Sequence, residues 1–171
     1  DEVLRRSWIR MLNEETLVVP GRAPVAVPGA RTAFDLVGLS YRHALAVRGD
    51  GALLPYPQLL AVGPDGQVPW PEGLAVSLHQ VADALPDRPL LVSGVGFPTL
   101  HEGEREEVLR EVVAIAAEAS NGGMDLRGLW WDTAIDGATV TAGGAPRALV
   151  DRDRSPRPAA TLWSAAARPI A

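Results

Sequence analysis

The apolar positions of the chain follow two periodicities that alternate along its length. Val3, Leu4, Trp8, Met11 and Leu12 recur at helical spacing and predict a helix within residues 1–13. VVPGRAPVAVPGAR follows and reads as a loop, because its prolines and glycines interrupt any regular ladder. AFDLVGLSY, 33–41, is apolar enough for a buried strand. Residues 42–70 are rich in Gly and Pro, with a turn signal GPDG at 63–66, and predict a long surface loop with room for a short hairpin. Leu74, Leu78, Val81 and Leu85 form one stripe of a helix over 70–85, where Pro71 suits the first turn. RPLLVSGVGF, 88–97, is an apolar run that stops on glycine, the pattern of a strand buried on both faces of a parallel sheet over 88–95. The strongest helix spans 102–123. Its buried face is Val108, Leu109, Val112, Val113 and Ala116; Glu102, Glu104, Glu106 and Glu107 load its amino end, and Gly122 and Gly123 stop it. DLRGLWWDTA, 125–134, predicts a third strand, RALVD, 147–151, a short extended piece, and RPAATLWSAAARPI a closing helix.

Alternation of helix and strand implies parallel strands joined by right-handed crossovers, an α/β fold. Three parallel strands make a poor free-standing sheet, and a closed (β/α)8 barrel of the TIM-barrel type takes about 250 residues. The pattern therefore fits the last three βα units of such a barrel, strands six to eight, with residues 1–171 forming one portion of one domain and no separate second domain. Such a sheet leaves two open edges and an inner face expected to be apolar. The implied partner is the remaining barrel half, from the same polypeptide, a companion chain or a symmetry mate. A first residue that is Asp1 and not methionine fits either a trimmed chain or one that begins inside a larger fold.

Composition narrows the chemistry. The chain has no cysteine, which removes disulfides, zinc–thiolate sites and thiol nucleophiles. All 16 basic residues are arginine, so no lysine can carry Schiff-base chemistry or anchor pyridoxal phosphate. The net charge of −5 gives no footprint for nucleic acid or an anionic membrane. No run is long enough to span a bilayer and no signal-peptide pattern is present, so the expected location is cytoplasmic. Richness in Ala, Arg, Gly, Pro and Val fits a bacterial source of high GC content. His43, His79 and His101 lack metal-ligand spacing, and neither a metal nor another cofactor is expected. His79 reads as a surface residue and His101 as a local helix cap. GVGFP lacks the full Gly-X-Gly-X-X-Gly pattern of a nucleotide site.

Five phrases in order, FDLVGLSY, WPEGL, RPLLVSGVG, DLRGLWWDTAIDG and RALVDRDRSPRPAA, resemble the carboxyl-terminal portion of family 1 glycoside hydrolases, the β-glucosidase type. In that family they read Phe-Asp-Phe-X-Gly-X-Asn-Tyr-Tyr, Tyr-Pro-Glu-Gly-Leu, Pro-X-X-Val-Thr-Glu-Asn-Gly and Gly-Tyr-X-X-Trp-Ser-Leu-X-Asp-Asn-Phe-Glu-Trp. A Phe-Gly-Leu-X-X-Val-Asp strand and a Pro-Lys-X-Ser helix start follow. The resemblance covers nearly the whole chain and implies the same barrel. It also implies where the chemistry would lie. Two carboxyl groups about 5 Å apart perform the retaining mechanism. The family's strand-seven nucleophile falls on Gly94, and residues 88–101 contain no Asp or Glu. The acid/base belongs to strand four, outside this chain. Ser40, Tyr41 and Arg42 stand for Asn-Tyr-Tyr, so Arg42 replaces the Tyr that orients the nucleophile. Asp132 and Thr133 replace the platform Trp-Ser, the sugar-binding Glu-Trp pair falls on Thr139 and Val140, and Asp136 matches a loop-structuring Asp.

The resemblance thus implies a β-glycosidase barrel degenerate in its retaining chemistry, a pseudoenzyme whose remodelled mouth binds a small or sugar-like molecule. Two alternatives stay open: an active enzyme using different acid/base chemistry on the same scaffold, and a non-catalytic structural or interaction domain. Ser40, Tyr41, Arg42, Trp131 and Thr133 are the expected ligand-binding residues. Arg42 either binds an anionic ligand or forms a salt bridge across a defunct site. Asp132 is the best remaining general acid/base, beside Trp130 and Trp131, unless it pairs with an arginine. Of those two tryptophans, strand alternation sends one toward the barrel and one toward the helix layer.

Overall fold

The computed structural model describes residues 6–19, 21–58, 67–137 and 145–167. Helix α1, Ser7–Glu14, opens the described chain and ends on Glu15 in the left-handed region. The predicted loop that follows holds a two-residue ribbon, β1 (Thr16–Leu17) against β2 (Val25–Ala26). Strand β3, Val37–Tyr41, begins four residues later than the apolar pattern suggests, because Phe34 and Leu36 lie on the surface. The long segment after it contains an antiparallel hairpin, β4 (Ala44–Val47) and β5 (Leu53–Tyr56). Helix α2 (Glu72–Ala84), strand β6 (Leu90–Val95), helix α3 (Glu102–Asn121), strand β7 (Leu126–Trp131) and helix α4 (Pro158–Ala166) complete the order. Residues 147–151, expected as a short extended piece, contribute bridges from Val150 to Ile135 and Pro156.

β3, β6 and β7 form one parallel sheet in the order β3-β6-β7, with α2 and α3 as the crossovers. The described residues therefore form part of a βα barrel and no closed eight-stranded one. One face of the sheet is covered by helices. There Val37, Leu90, Val92, Val95 and Trp131 join Leu74, Leu78, Leu109, Val112 and Ala159 in one buried cluster. Each large aliphatic chain so buried contributes about 1.5–3 kcal/mol.

The other face departs from expectation. Gly38 lies against Ser93, and Gly128 lies against Leu91 and the Trp130 indole. Gly38, Ser40, Ser93 and Trp130 are exposed on it, so small and polar groups replace the continuous apolar layer expected there. Alternation along each strand explains this: Val37, Leu90, Val92, Val95 and Trp131 face the helices, and of the large side chains Leu91 and Trp130 lie on the other face.

The carboxyl end of β6 is irregular. Leu39 pairs with Val92 but Ser40 pairs with Gly94, and Val92 and Val95 pair with Leu129 and Trp131. Ser93 is therefore the extra residue against β3, and against β7 Ser93 and Gly94 together stand opposite Trp130 in a bulge. A bulge bends its strand and re-aims side chains, and it suits the rim of a barrel.

The loops at this end are tied together by charge. Arg105, in the first turns of α3, is fully buried. Its guanidinium donates to the carbonyls of Thr99 (2.9 Å) and Pro146 (3.0 Å) and to Glu102. Arg157, at the start of α4, donates to Glu102 (3.0 Å) and Asp136 (2.7 Å). The His101 side chain does not cap α3. Instead Thr99 Oγ1 accepts from the His101 amide and donates to Glu104, which holds the turn that leads into the helix.

Candidate functional site

The three strand ends bring Ser40, Arg42, Gly94, Gly96 and Asp132 together. Gly94 stands at the centre. A Cβ built on it would lie 3.0 Å from Ser40 Oγ, 3.5 Å from Asp132 Cβ and 3.9 Å from Asp132 Oδ2. The Asp132 side chain thus borders the space that a residue at position 94 would enter. Its backbone amide donates to Val95 O at 2.8 Å, which continues the β6–β7 ladder to the rim. Its carbonyl oxygen then presses on Gly96, where any Cβ would fall inside 3.0 Å of it. The peptide from Asp132 to Thr133 is cis.

Arg42, just past β3, reaches across this space and pairs with Asp132, Nη2 to Oδ2 at 2.5 Å. Of the two arrangements open to Arg42 in the sequence, the ion pair is the one adopted. Both side chains keep solvent contact, 47% and 24% exposed, so the pair contributes well under 1 kcal/mol. Ser40 Oγ donates to Gly94 O at a long 3.4 Å.

The other expected ligand-binding residues are placed differently. Trp131 turns to the helix side, where its Nε1 donates to Arg147 O at 3.0 Å and its ring meets Trp163 edge-on at 6.2 Å. It is 8% exposed and packs the core, so the two tryptophans do not enclose Asp132; Trp130, 61% exposed, is the one on the inner face. Tyr41 points toward the start of α2, with its hydroxyl donating to Trp70 O at 2.5 Å. Burial, and then the Glu72 charge, push that phenol well above its usual range, so it acts as a neutral donor. Thr133 is exposed just beyond Asp132. Thr139 and Val140 lie outside the described residues.

Two further residues border the mouth: His43, which by sequence follows strand six beside Arg42 where barrel sites are built, and Arg147. His43 follows Arg42 and is half-buried, and its Nδ1 is solvent-excluded with no partner. Burial, then Arg147, then Arg42 lower its pKa, so the ring is neutral at physiological pH. Arg147 is also half-buried, with its Cγ 3.5 Å from the Cβ position of Gly96. Its amide and that of Ala148 donate to Asp136 Oδ1 at 3.3 and 3.1 Å. Only its place at the head of RALVD marked it. His79 is exposed, with Nδ1 2.8 Å from Ala75 O. Among the described residues no group of His, Asp and Glu could hold a metal ion. None of the described helices is long and apolar enough to cross a membrane.

Asp136 is the anchor of this rim. Burial alone would raise its pKa, but the Arg157 hydrogen bond and the Ala148 and Arg147 amides outweigh it and hold the carboxyl below its ordinary 3.8. A depressed folded pKa gives stability that is present above the unfolded value and is lost as pH falls through the folded one. Asp136→Asn should therefore lower the urea midpoint at neutral pH. The gap to the parent should close as pH drops below about 3.8. A gap that stays constant with pH would mean that the carboxylate charge is not what matters.

No family model matches the sequence, and no curated protein matches it. Solved structures do. A β-glycosidase designated BGL167 aligns over 80% of this chain and 35% of its own, at 26% identity and a TM-score of 0.68. A β-glycosidase from Pyrococcus horikoshii aligns over 96% of this chain and 41% of its own, at 19% identity and a TM-score of 0.81. A family 1 β-glucosidase from Thermotoga maritima aligns over 80% and 35%, at 18% identity and a TM-score of 0.67. The fold is thus like that of the family 1 β-glucosidases, at low identity, and the chain spans less than half the length of each of these structures.

Proposed function

We propose that this chain forms the carboxyl-terminal part of a β-glycosidase-like barrel whose mouth binds a small molecule and has lost the retaining glycosidase reaction. The observation that carries the reading is at position 94. A glycine stands there, in a bulge at the rim, and the adjoining space is bordered by Asp132 paired to Arg42. A retaining mechanism needs a free carboxylate poised to attack the anomeric carbon, with a second carboxyl about 5 Å away. Asp132 meets the first need poorly, because Arg42 occupies one of its oxygens. The inner-face groups beside it, Ser40, Ser93 and Trp130, are suited to hydrogen bonding and stacking of a polar ligand.

A second reading has one observation in its favour. Asp132 Oδ2 lies only 3.9 Å from where the side chain of residue 94 would begin, so a strand-eight carboxylate borders the strand-seven position. If Arg42 released it, Asp132 could act as an acid or base toward a substrate held from the other barrel half. Hydrolysis of nitrophenyl β-glycosides separates the two. The proposal expects no turnover above background; turnover abolished by Asp132→Asn would establish the second reading.

Gly94→Glu should not confer glycosidase activity. Its Cβ would press on Ser40 Oγ at 3.0 Å, and its carboxylate would compete with Asp132 for Arg42. The measurement is kcat/KM on the same glycosides. A large gain would show that the sugar subsite is intact and that only the nucleophile is missing.

A further inference from the structure

We infer, resting on the reading of this chain as part of a barrel, that the open edge of β3 is a docking site for one parallel β-strand from the remaining part of that barrel, seated in the groove between α1 and α2. Among the described residues β3 pairs with β6 alone, so its other edge is unpaired. Asn13, near the end of α1, donates from Nδ2 to Ala84 O, at the end of α2, at 2.5 Å. That bond brings the carboxyl ends of the two helices together, and α1 precedes β3 as α2 precedes β6. α1 therefore stands to β3 as a crossover helix stands to the strand it leads into. A strand joined to α1 by a right-handed crossover would fall on the open edge of β3.

The shape of this edge suits that occupant. A cavity of about 950 Å³ runs along it, from Trp8 and Ile9 of α1 across Gly38 and Ser40 to Val76 and Val81 of α2. Val76 is 46% exposed, although it belongs to a helix whose Leu74 and Leu78 are inaccessible. Trp8, Ile9 and Val81 are half-buried. Apolar side chains directed outward from an added strand would cover all four. The backbone matches as well. Val37 N donates to Pro89 O at 3.0 Å, toward β6. Backbone groups alternate in direction along a parallel strand, so the amides and carbonyls of Gly38 and Ser40 face the open edge. An added strand supplies their hydrogen-bond partners, the mode of binding by strand addition. Its source is the part of the fold beyond this chain. The chain spans 35% and 41% of two β-glycosidases that it matches, which leaves more than half of such a fold to provide the strand.

A tethered strand tests this. The full chain is extended upstream of Asp1 by Val-Thr-Val-Thr-Val, as many residues as β3 has, followed by a short Gly-Ser linker. The control carries a Gly-Ser segment of the same total length. Amide exchange read by NMR at Gly38 and Ser40 should be at least about tenfold slower in the first chain than in the control, and the urea midpoint should be higher. Gly38→Pro removes one edge-facing donor and keeps the β3–β6 ladder, because a proline nitrogen is tolerated where it faces away from the neighbouring strand. It should abolish the rise in midpoint, taken as the difference between extended and control chains in each background. If Gly38→Pro does not fold, the exchange comparison at Gly38 and Ser40 decides alone. Equal exchange at these two amides in the extended and control chains would overturn the docking site. A rise in midpoint that survives Gly38→Pro would overturn it too, since the extension would then bind elsewhere. Both results leave the part-barrel reading standing. Gly38 and Ser40 amides already protected in the monomeric, unextended chain would show a closed edge, and the part-barrel reading itself would fail.

Discussion

Arg105→Met should lower the free energy of unfolding by about 3 kcal/mol, one of the two largest effects expected of any single substitution in this chain. The methionine fills similar volume but cannot donate. The carbonyls of Thr99 and Pro146 would each lose a hydrogen bond, and Glu102 would keep only Arg157. The Thr99 carbonyl would be left without a donor, at about 1–3 kcal/mol, while Pro146 O would keep the Thr99 amide at 3.1 Å, so the bonds lost to Pro146 and Glu102 add about 1 kcal/mol each. Arg105→Lys should recover only part of the loss, because one ammonium cannot span the fork that reaches both carbonyls. Urea unfolding measures the effect as a lower midpoint with an unchanged slope. A midpoint within experimental error of the parent would show that these loops are not held by the buried guanidinium.

Gly96→Ala should cost about 2–3 kcal/mol and should also displace the strand-eight end that carries Asp132. The added methyl would meet a backbone carbonyl oxygen, which cannot rotate away as a flexible side chain could. Relief requires moving either the β6 rim or Asp132 itself, so ligand binding should fall along with stability. Gly103→Ala is the matched control. It lies in α3 with open space around its Cβ position, and should stabilise by about 0.5–1 kcal/mol through helix propensity alone. If both alanines proved equally mild, the close packing of the rim would be wrong.

Much of the scaffold was legible because it rests on periodicity. The stripe Leu74, Leu78, Val81, Leu85 and the run Pro89 to Val92 are patterns that burial enforces; Val81, Pro89 and Leu91 are half-buried and the others are inaccessible in the fold. The order of three strands and two crossover helices follows from them. The bulge at Ser93 and Gly94 was not legible, since a bulge is a property of the pairing between strands and leaves no period behind. Burial of Arg105 was likewise hidden. An arginine three residues after Glu102 reads as a solvated ion pair, and only the arrival of the Thr99 and Pro146 carbonyls makes it internal. Alternation told that one of Trp130 and Trp131 faces the helices but not which; Trp131, expected among the ligand-binding residues, is the one that packs there. Arg147 is separated from Arg42 by more than a hundred residues, and no local pattern could bring them to one rim.

The most direct test of the central claim is covalent trapping. A dinitrophenyl fluorodeoxy-glycoside reacts with a retaining glycosidase to leave a stable glycosyl ester on the nucleophile, which intact-mass measurement detects as a single added sugar. The protein, with whatever barrel segments accompany it, should remain at its unmodified mass after prolonged incubation, since Gly94 offers no carboxylate and Arg42 holds Asp132. A stoichiometric adduct mapped by peptide sequencing to Asp132, or to any other residue of this chain, would contradict the account.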